Sequence, residues 1–436
     1  MIKSISGSVK SLNYRVTALY FHTDGISAAK DGTERDGYNN ASLSWKFGHK
    51  PLENLELELS GYYSNDRTKL DDIDFTTGRP VDSPGFVQNG NHFLLSARGK
   101  LYLLDKWEQI LTLSTFSDIL KFRDPDSLFN NADILNTRQI ADWQHNVYVS
   151  NAVTLTGGFE YRKEKGENRG NFDDSVENKA VYFNSKLKFL RDALIINAGL
   201  RYDDHETAGT KTTCKVGAAY NFREAGLTLR TSYGTGFRAP SLNDLFYPFY
   251  GNPALKPEES KSYEAGVVKT LFEEKMSLSL TYFKQNYKNL IQADPLTFTA
   301  ANIARASVEG VEAAASLRLN DAVDIKTGYM YLNTEDKDTG KNLIKRPKNK
   351  FTAGIGYSVR NLSLLADYLY VGKRLDSSVG NELPAYSVVN LSGNYRVTKN
   401  ITLFGRIENL FNAHYEEVGG FNTKGASVYG GMKVSL

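Results

Sequence analysis

Apolar and polar residues alternate along most of this chain. In ENLELELSGYY, Leu55, Leu57 and Leu59 fall on one side, with Glu56, Glu58 and Ser60 on the other. In AVYFNSKLKF, Val181, Phe183, Leu187 and Phe189 oppose Tyr182, Asn184, Lys186 and Lys188. ALIINAGLRYD, GLTLRTSY, KMSLSLTYF, NLSLLADY, SVVNLSGNYRV and NITLFGRIEN follow the same rule. A period of two is the signature of a strand with two unlike faces, and about 21 such segments can be read, most of them about 9–14 residues long. No amphipathic helix longer than two turns is predicted. The fold class is all-β.

The length of the segments and the nature of their faces narrow the class. Strands of soluble sandwiches average about 5–6 residues. A strand tilted through a bilayer needs about 9–11. Long strands with one apolar and one charged face fit a transmembrane antiparallel β-barrel, with lipid outside and water inside. A large soluble sandwich or a propeller is the competing architecture, and the connections separate them. Short links at VKSLN, GHKPLEN, LLDKW, VSNA, FLRDA, FREAG, LFEEK, LNDA, VRN and VTKN alternate with long ones. The long ones include HTDGISAAKDGTERDG, residues 65–90, residues 118–136, NTEDKDTGKNLIKRPKN, GKRLDSSVGNELPAY and NLFNAHYEEVGGFNTKG. Short periplasmic turns and long extracellular loops give that rhythm. A propeller would show a repeat of about 40–50 residues, and none is visible. Aromatic pairs near segment ends (Tyr20 and Phe21, Tyr62 and Tyr63, Tyr233 and Phe237, Tyr368 and Tyr370) suit interfacial girdles. No boundary suggests a second domain, so residues 1–436 read as one barrel domain.

Composition adds little and excludes more. The net charge of +3 over 436 residues gives no case for nucleic acid. Mean hydropathy is negative, at -0.42, as expected when strands hide their apolar face by alternation. The single cysteine, Cys214, permits no internal disulfide. GTGFRA at 234–239 imitates a dinucleotide fingerprint, but Pro240 and the prolines beyond it deny the helix such a site needs. The six histidines show no HExxH and no zinc spacing, there is no GxSxG, and Cys214 has no adjacent base. No enzymatic constellation is present.

One stretch stands apart: TSYGTGFRAPSLNDLFYPFYGNPALKPEES, residues 231–260. It is too long for a turn and too aromatic for a disordered linker. A strand is predicted from Leu227 to Tyr233, after which Gly234 and Gly236 release the chain from the rim. Glu258 and Glu259 lead back into a strand near Tyr263. The segment resembles one carried by the barrels of TonB-dependent outer-membrane receptors, on Gly234, Gly236, Phe237, Arg238, Pro240, Asn252, Pro253, Leu255, Pro257 and Glu258. IENLFNAHYEEVGGFNTKGASVYGGMKVSL resembles that family's last two strands and their loop, on Asn409, Leu410, Phe411 and Tyr415. ASVEGVEAAASLRL resembles one of its strand starts.

The resemblance implies a barrel of the 22-stranded type in a Gram-negative outer membrane, monomeric, with about 21 strands in this chain. It also implies active uptake of a large, scarce ligand, powered by TonB through a plug domain. Signal peptide, TonB box, plug and first strand have no counterpart here, and Leu436 stands where the family usually has an aromatic. The chain therefore reads as an N-terminally truncated barrel, in which closure would join strands of like direction or leave a seam. FHTDGISAAKDGTERDGYNNASL most resembles the cobalamin-receptor branch, which carries acidic calcium loops. The resemblance thereby points to Ca2+ at Glu34, Asp36, Asp66 and Asp71, with solvated loop tips as the plainer reading. Phe246, Tyr247, Phe249 and Tyr250 are candidate ligand contacts, since large amphipathic ligands need rigid apolar surface; self-packing within the loop is the alternative. A ferric-siderophore receptor, and a passive porin-like channel or inactive fragment, remain open as functions.

Overall fold

The computed structural model describes residues 1–74, 76–127, 129–294, 296–376 and 381–435, the side chain of residue 303 excepted. Leu436 and residues 377–380 of the GKRLDSSVGNELPAY connection lie outside the described residues. Among those described, 21 strands share one sheet, and the one helix, Leu242–Phe246, has five residues. The chain clusters into two compact units. The first comprises Met1–Gly217, Gly234–Ser260 and Tyr287–Ala304; the second comprises Ala218–Tyr233, Lys261–Asn286 and Arg305–Leu436.

In the first unit ten strands pair antiparallel in chain order. They run from Ile2–Val9 and Leu12–Thr23 through Tyr38–Leu52, Leu55–Lys69, Val87–Leu103 and Trp107–Arg123. Ala132–Ser150, Val153–Asn168, Phe172–Phe189 and Leu194–His205 complete the set. In the second unit the same meander joins Ala300–Arg318 (from Ala306 onward), Val323–Asp336, Asn349–Val359, Leu362–Val371, Tyr386–Arg396, Ile401–Glu408 and Ser427–Val434. Meanders of this kind need only tight turns at one end. All ten short links read from the sequence are turns of two to four residues. Several are closed by side chains in the left-handed region, such as Lys10 (φ 53°), Leu104 (φ 53°), Asp105 (φ 47°) and Arg360 (φ 50°), because that hand matches the twist of the flanking strands.

Register shows why the alternation exists. Leu57, Gly99, Leu111, Trp143, Phe159, Val181 and Tyr202 lie side by side across seven strands. Apart from the glycine, each is between 43% and 51% exposed. One residue along, Glu58, Arg98, Thr112, Asp142, Glu160, Ala180 and Asp203 form the neighbouring row, facing the other way. The polar face is laced with ion pairs: Lys46–Glu58 at 2.7 Å, Lys100–Glu108 at 2.9 Å, and Arg201 to both Glu160 (2.8 Å) and Asp203 (2.9 Å). Soluble monomers rarely expose a contiguous apolar patch beyond a few hundred Å². A continuous apolar row with ionic residues on the reverse is a sheet solvated by lipid on one side and water on the other.

The strands outrun the sequence expectation. Ala132–Ser150 and Ala300–Arg318 each have 19 residues, and most of 118–136 is strand, one strand ending at Arg123 and the next beginning at Ala132. Leu227–Arg238 continues five residues past Tyr233, through Gly234 and Gly236, and the next strand begins at Glu258 rather than near Tyr263. Two links at the long-loop end, after Asn168 and after His205, are three-residue turns. Beyond the apolar rows polar residues such as Ser64, Asn168 and Asn178 occupy the strands. Hydrogen-bond pairing continues there, while the hydrophobic pattern that reveals it stops.

Leu113 lies within the apolar band, half exposed, and Thr112 on the reverse. Leu113→Arg is expected to cost about 2–4 kcal/mol in a lipid-inserted sheet, and Thr112→Arg to stay within about 1 kcal/mol. Urea unfolding in phospholipid vesicles measures both; equal costs would contradict the assigned faces.

Candidate functional site

Two long connections of the first unit fold onto each other. The connection 24–37 turns sharply at Gly25 (φ 72°), where a Cβ would sit 2.0 Å from the Asp36 carbonyl oxygen. Asp36 N donates to Ile26 O at 3.0 Å, and Asp36 Oδ2 accepts from Ala28 N at 2.5 Å. The connection 70–86 supplies two more carboxylates. Asp71 Oδ2 accepts from Ala29 N at 2.6 Å, and Asp82 Oδ2 accepts from Thr33 N at 2.6 Å and Glu34 N at 3.1 Å. This second loop rests in turn on the connection 124–131: Ser83 Oγ donates to buried Asp124 at 3.5 Å, and the Phe86 and Phe122 rings lie 6.5 Å apart.

The result is a convergence of Glu34, Asp36 and Asp71, with one oxygen from each lying within 4.8 Å of the other two. Glu34 Oε1, Asp36 Oδ1 and Asp71 Oδ1 are occluded from solvent and accept no hydrogen bond. At that spacing each pair of charges repels by about 3–4 kcal/mol at an effective dielectric near 20. Burial, and then the Asp36 charge, push the carboxyls of Glu34 and Asp71 above the usual range. Backbone N–H groups of Thr33 and Glu34 hold Asp82 below it. Three orphaned, oxygen-only donors of like charge fit a hard dication such as Ca2+, whose remaining ligands would be carbonyls or water.

Asp66 does not join them. It is buried on the polar face of its strand, 2.7 Å from His92 Nε2, with Asp118 2.5 Å from His92 Nδ1. Sequence reasoning missed Asp82 and this Asp–His–Asp group. VDSPGF marks a turn that could have flagged Asp82; nothing in the strand pattern isolates His92.

The stretch 239–257 is built as a bracket. Arg238 donates Nε and Nη2 to the two Glu258 oxygens, each at 2.7 Å, and Glu258 Oε1 also accepts from Ile291 N at 2.9 Å. Ser241 caps the short helix in a reciprocal capping box with Asp244. Asn252 donates its N–H to Asp244 O at 2.8 Å and its Nδ2 to Ala300 O at 3.0 Å. Leu255, Pro240 and Pro257 are buried, Phe237 is half-buried and Pro253 is exposed. Of the four candidate contact aromatics, Phe246 and Tyr250 pack on Leu245, Leu255 and Ala300. Tyr247 and Phe249 face outward, Phe249 at 99% exposure.

In the second unit, buried Asn409 (φ 52°) plays a comparable part. Its amide accepts from Ala413 N at 2.8 Å and donates to Ala413 O at 2.8 Å and Lys424 O at 3.2 Å, while Leu410 N donates to Val389 O at 2.8 Å. Tyr415 stacks on Tyr386 at 4.1 Å, beside Arg374, and Phe411 is exposed.

The family model of the TonB-dependent receptor-like β-barrel matches residues 8–410. The chain belongs to that family. Curated relatives include the "Vitamin B12 transporter BtuB" of Photobacterium profundum, 28% identical over 418 residues, covering 93% of this chain and 66% of the relative. The protein of the same name from Vibrio vulnificus is 29% identical over 390 residues, covering 87% of this chain and 61% of its own. The chain thus spans just under two thirds of these relatives. Among solved structures, the ferric enterobactin receptor PfeA of Pseudomonas aeruginosa superposes with a TM-score of 0.83 at 18% identity, over 99% of this chain and 77% of its own. The siderophore receptor PirA of Acinetobacter baumannii does so with a TM-score of 0.83 at 16%, over 99% and 77%. At those identities the structures speak to fold alone. Membership of this barrel family accounts for the lipid-facing rows.

Calcium is expected to protect residues 24–37 and 70–86 of the TonB-dependent receptor barrel from limited proteolysis, and Asp36→Asn or Asp71→Asn to abolish that protection. The pH trend gives a second readout. Glu34 and Asp71 have raised folded values, so without calcium their contribution to loop stability is lost as pH rises above the usual carboxylate range. Bound calcium needs them ionised and reverses that slope. Asp82, being lowered, loses its contribution only on acidification below the range. Identical protease patterns with calcium and with chelator would refute the site.

Proposed function

We propose that this chain forms the membrane-spanning barrel of an outer-membrane TonB-dependent transporter whose ligand is cobalamin or a related corrinoid. The observation that carries the ligand is the convergence of Glu34, Asp36 and Asp71, built by the loops whose sequence resembles the cobalamin-receptor branch. The relatives named as vitamin B12 transporters, aligned over most of the chain, support the same reading. In this reading the apolar rows hold the sheet in lipid and the ionic face lines the route. Calcium, when bound, offsets most of the charge of the three carboxylates, so that the connections 24–37 and 70–86 present a fixed surface to the ligand. Release and passage would require TonB acting through a plug; the residues here supply the wall and the outer grip.

The siderophore alternative is weakened by the loop charges. Ferric siderophores are commonly anionic and call for a basic surface. Arg123 and Arg169 both pair with Asp133 (2.5 and 3.3 Å), Arg305 pairs with Asp338 (2.7 Å), and Arg238 with Glu258 (2.7 Å). Arg305 and Arg238 are thus each paired with a carboxylate, and Arg123 and Arg169 share one, which leaves little free positive charge at these positions.

Equilibrium binding in detergent, with cyanocobalamin and with ferric enterobactin as competing probes, tests the reading. Cyanocobalamin is expected to bind, more tightly at about 1 mM calcium than with chelator, that being the range of weak extracellular calcium sites. Binding of ferric enterobactin alone would overturn it.

A further inference from the structure

The apolar face of the second unit carries a groove. Leu317, Ile325, Ile355, Ala366 and Leu391 lie side by side across five strands. Toward the long connections, the next row holds Ala315, Thr327, Ala353 and Tyr368, and the one after it Ala313, Tyr329, Phe351 and Tyr370. None of these residues is charged. Ala313, Ala315 and Thr327 place three small side chains among bulkier ones, and a groove of about 340 Å³ opens over them. Tyr329 and Phe351 wall it on one side, and Leu278 and Leu280, of the strand Met276–Ala293, on the other.

One lining residue is ionic: Lys269. It lies five residues after Glu264, which accepts from Ser232 Oγ at 3.2 Å on the polar face, beside Arg230 and Glu312. The odd spacing sends the Lys269 side chain to the apolar face. Lys269 stands two residues before the end of the strand Glu258–Leu271. Its ammonium donates to the carbonyl oxygen of Ala225, in the short link after Phe222. Short links of such barrels lie on the periplasmic side, so the charge is held at the height where lipid headgroups begin, as long cationic side chains on a lipid face are. Among the described residues the ammonium has no ion-pair partner, and Ala225 uses one of its three N–H donors. A cation on a lipid face is a cost that a neutral residue would avoid.

We propose that the groove and Lys269 form a binding site for one glycerophospholipid of the periplasmic leaflet. An acyl chain lies over Ala313, Ala315 and Thr327, and the phosphate accepts from Lys269 Nζ. The site asks for an occupant that is apolar over most of its length and carries one anionic group at the end nearest the short links. A glycerophospholipid of that leaflet has this layout. A lipid of the opposite leaflet would put its headgroup at the wrong end of the strands, and a neutral lipid would leave the ammonium unmatched. The site is independent of the transported ligand and stands or falls separately from the corrinoid reading.

Native mass spectrometry of the full chain in detergent tests it. The probes are palmitoyl-oleoyl phosphatidylglycerol and palmitoyl-oleoyl glycerol, which share the chains and differ in the phosphate-bearing headgroup. The unaltered chain is expected to retain a single phosphatidylglycerol about fivefold more tightly than the diacylglycerol, the contribution of one cation near a membrane surface. Lys269→Gln should remove that preference and Lys269→Arg keep it. Ala315→Leu and, at a second point, Ala313→Leu fill the groove and should weaken both probes by about fivefold. Heat-modifiable mobility on unboiled gels identifies which variants are folded, and the paired substitutions at each end of the site leave one to read if the other misfolds. An unchanged preference in Lys269→Gln would place the phosphate elsewhere and overturn the proposal. Unchanged affinity after filling the groove would place the chain elsewhere, with the same result. Unsaturable uptake of both probes by the unaltered chain would mean a bulk lipid shell without a site, and would overturn it as well.

Discussion

A peptide group in hydrocarbon has no water to bond, and an unpaired N–H or C=O there costs several kcal/mol. The rest of this structure depends on that constraint. It forces every spanning segment into a ladder with its neighbours, and consecutive antiparallel pairing satisfies it with the least connecting chain. The ladder fixes side chains at alternate faces, so the row from Leu57 to Tyr202 and the row from Glu58 to Asp203 follow from one register. Lipid and water then select what each row contains. The tight turns follow as well: a meander returns within two to four residues, and left-handed positions such as Lys10 and Arg360 are accepted to make that return.

Since the sheet carries the stability, the long connections are free to carry function, and they are stabilised by different means. Apolar burial is scarce in them; Leu245, Leu255 and Ala300 form a core of three residues. What holds them is carboxylate and amide chemistry directed at backbone groups: Asp82 on Thr33 and Glu34, Asn252 on Ala300, Asn409 on Ala413 and Lys424. Such bonds fix a loop without a core, but each contributes about 1 kcal/mol net. The convergence of Glu34, Asp36 and Asp71 opposes this stabilisation, and in the reading proposed above a bound cation relieves it, so that loop order becomes conditional on the medium. In the corrinoid reading, that conditionality restricts a firm ligand surface to an environment that supplies calcium.

The legibility of the sequence follows the same division. Strands within lipid are readable because one face has to be apolar at every second residue. Their ends are not, since in Phe172–Asn178 and Thr235–Arg238 polar residues such as Asn178 and Thr235 replace apolar ones and the pattern lapses although the pairing continues. Parity explains the placement of Asp66: it lies an even number of residues from Glu58, so its side chain belongs to the ionic face with His92, not to the loop site. Asp71 stands two residues past the last strand position, Lys69, and is released from that parity. Glu34 and Asp36 are close in sequence, whereas their meeting with Asp71, and the role of Asp82, depend on how two loops fold together. No local pattern encodes that.

The segment that most clearly signals the family also shows why a family motif says little about cargo. Arg238, Pro240, Asn252, Leu255, Pro257 and Glu258 are occupied with one another or with neighbouring backbone, as ion pair, bracket and buried wedge. They define how the chain leaves one strand and enters the next, a problem every such barrel faces whatever it carries. Phe249 falls between the motif positions, as does Tyr247, and these side chains point away from the bracket. The scaffold residues are recognisable because their task is common, and the contact residues are not because theirs is particular. Ligand identity in such a protein therefore has to be read from the exposed residues that the motif leaves unspecified.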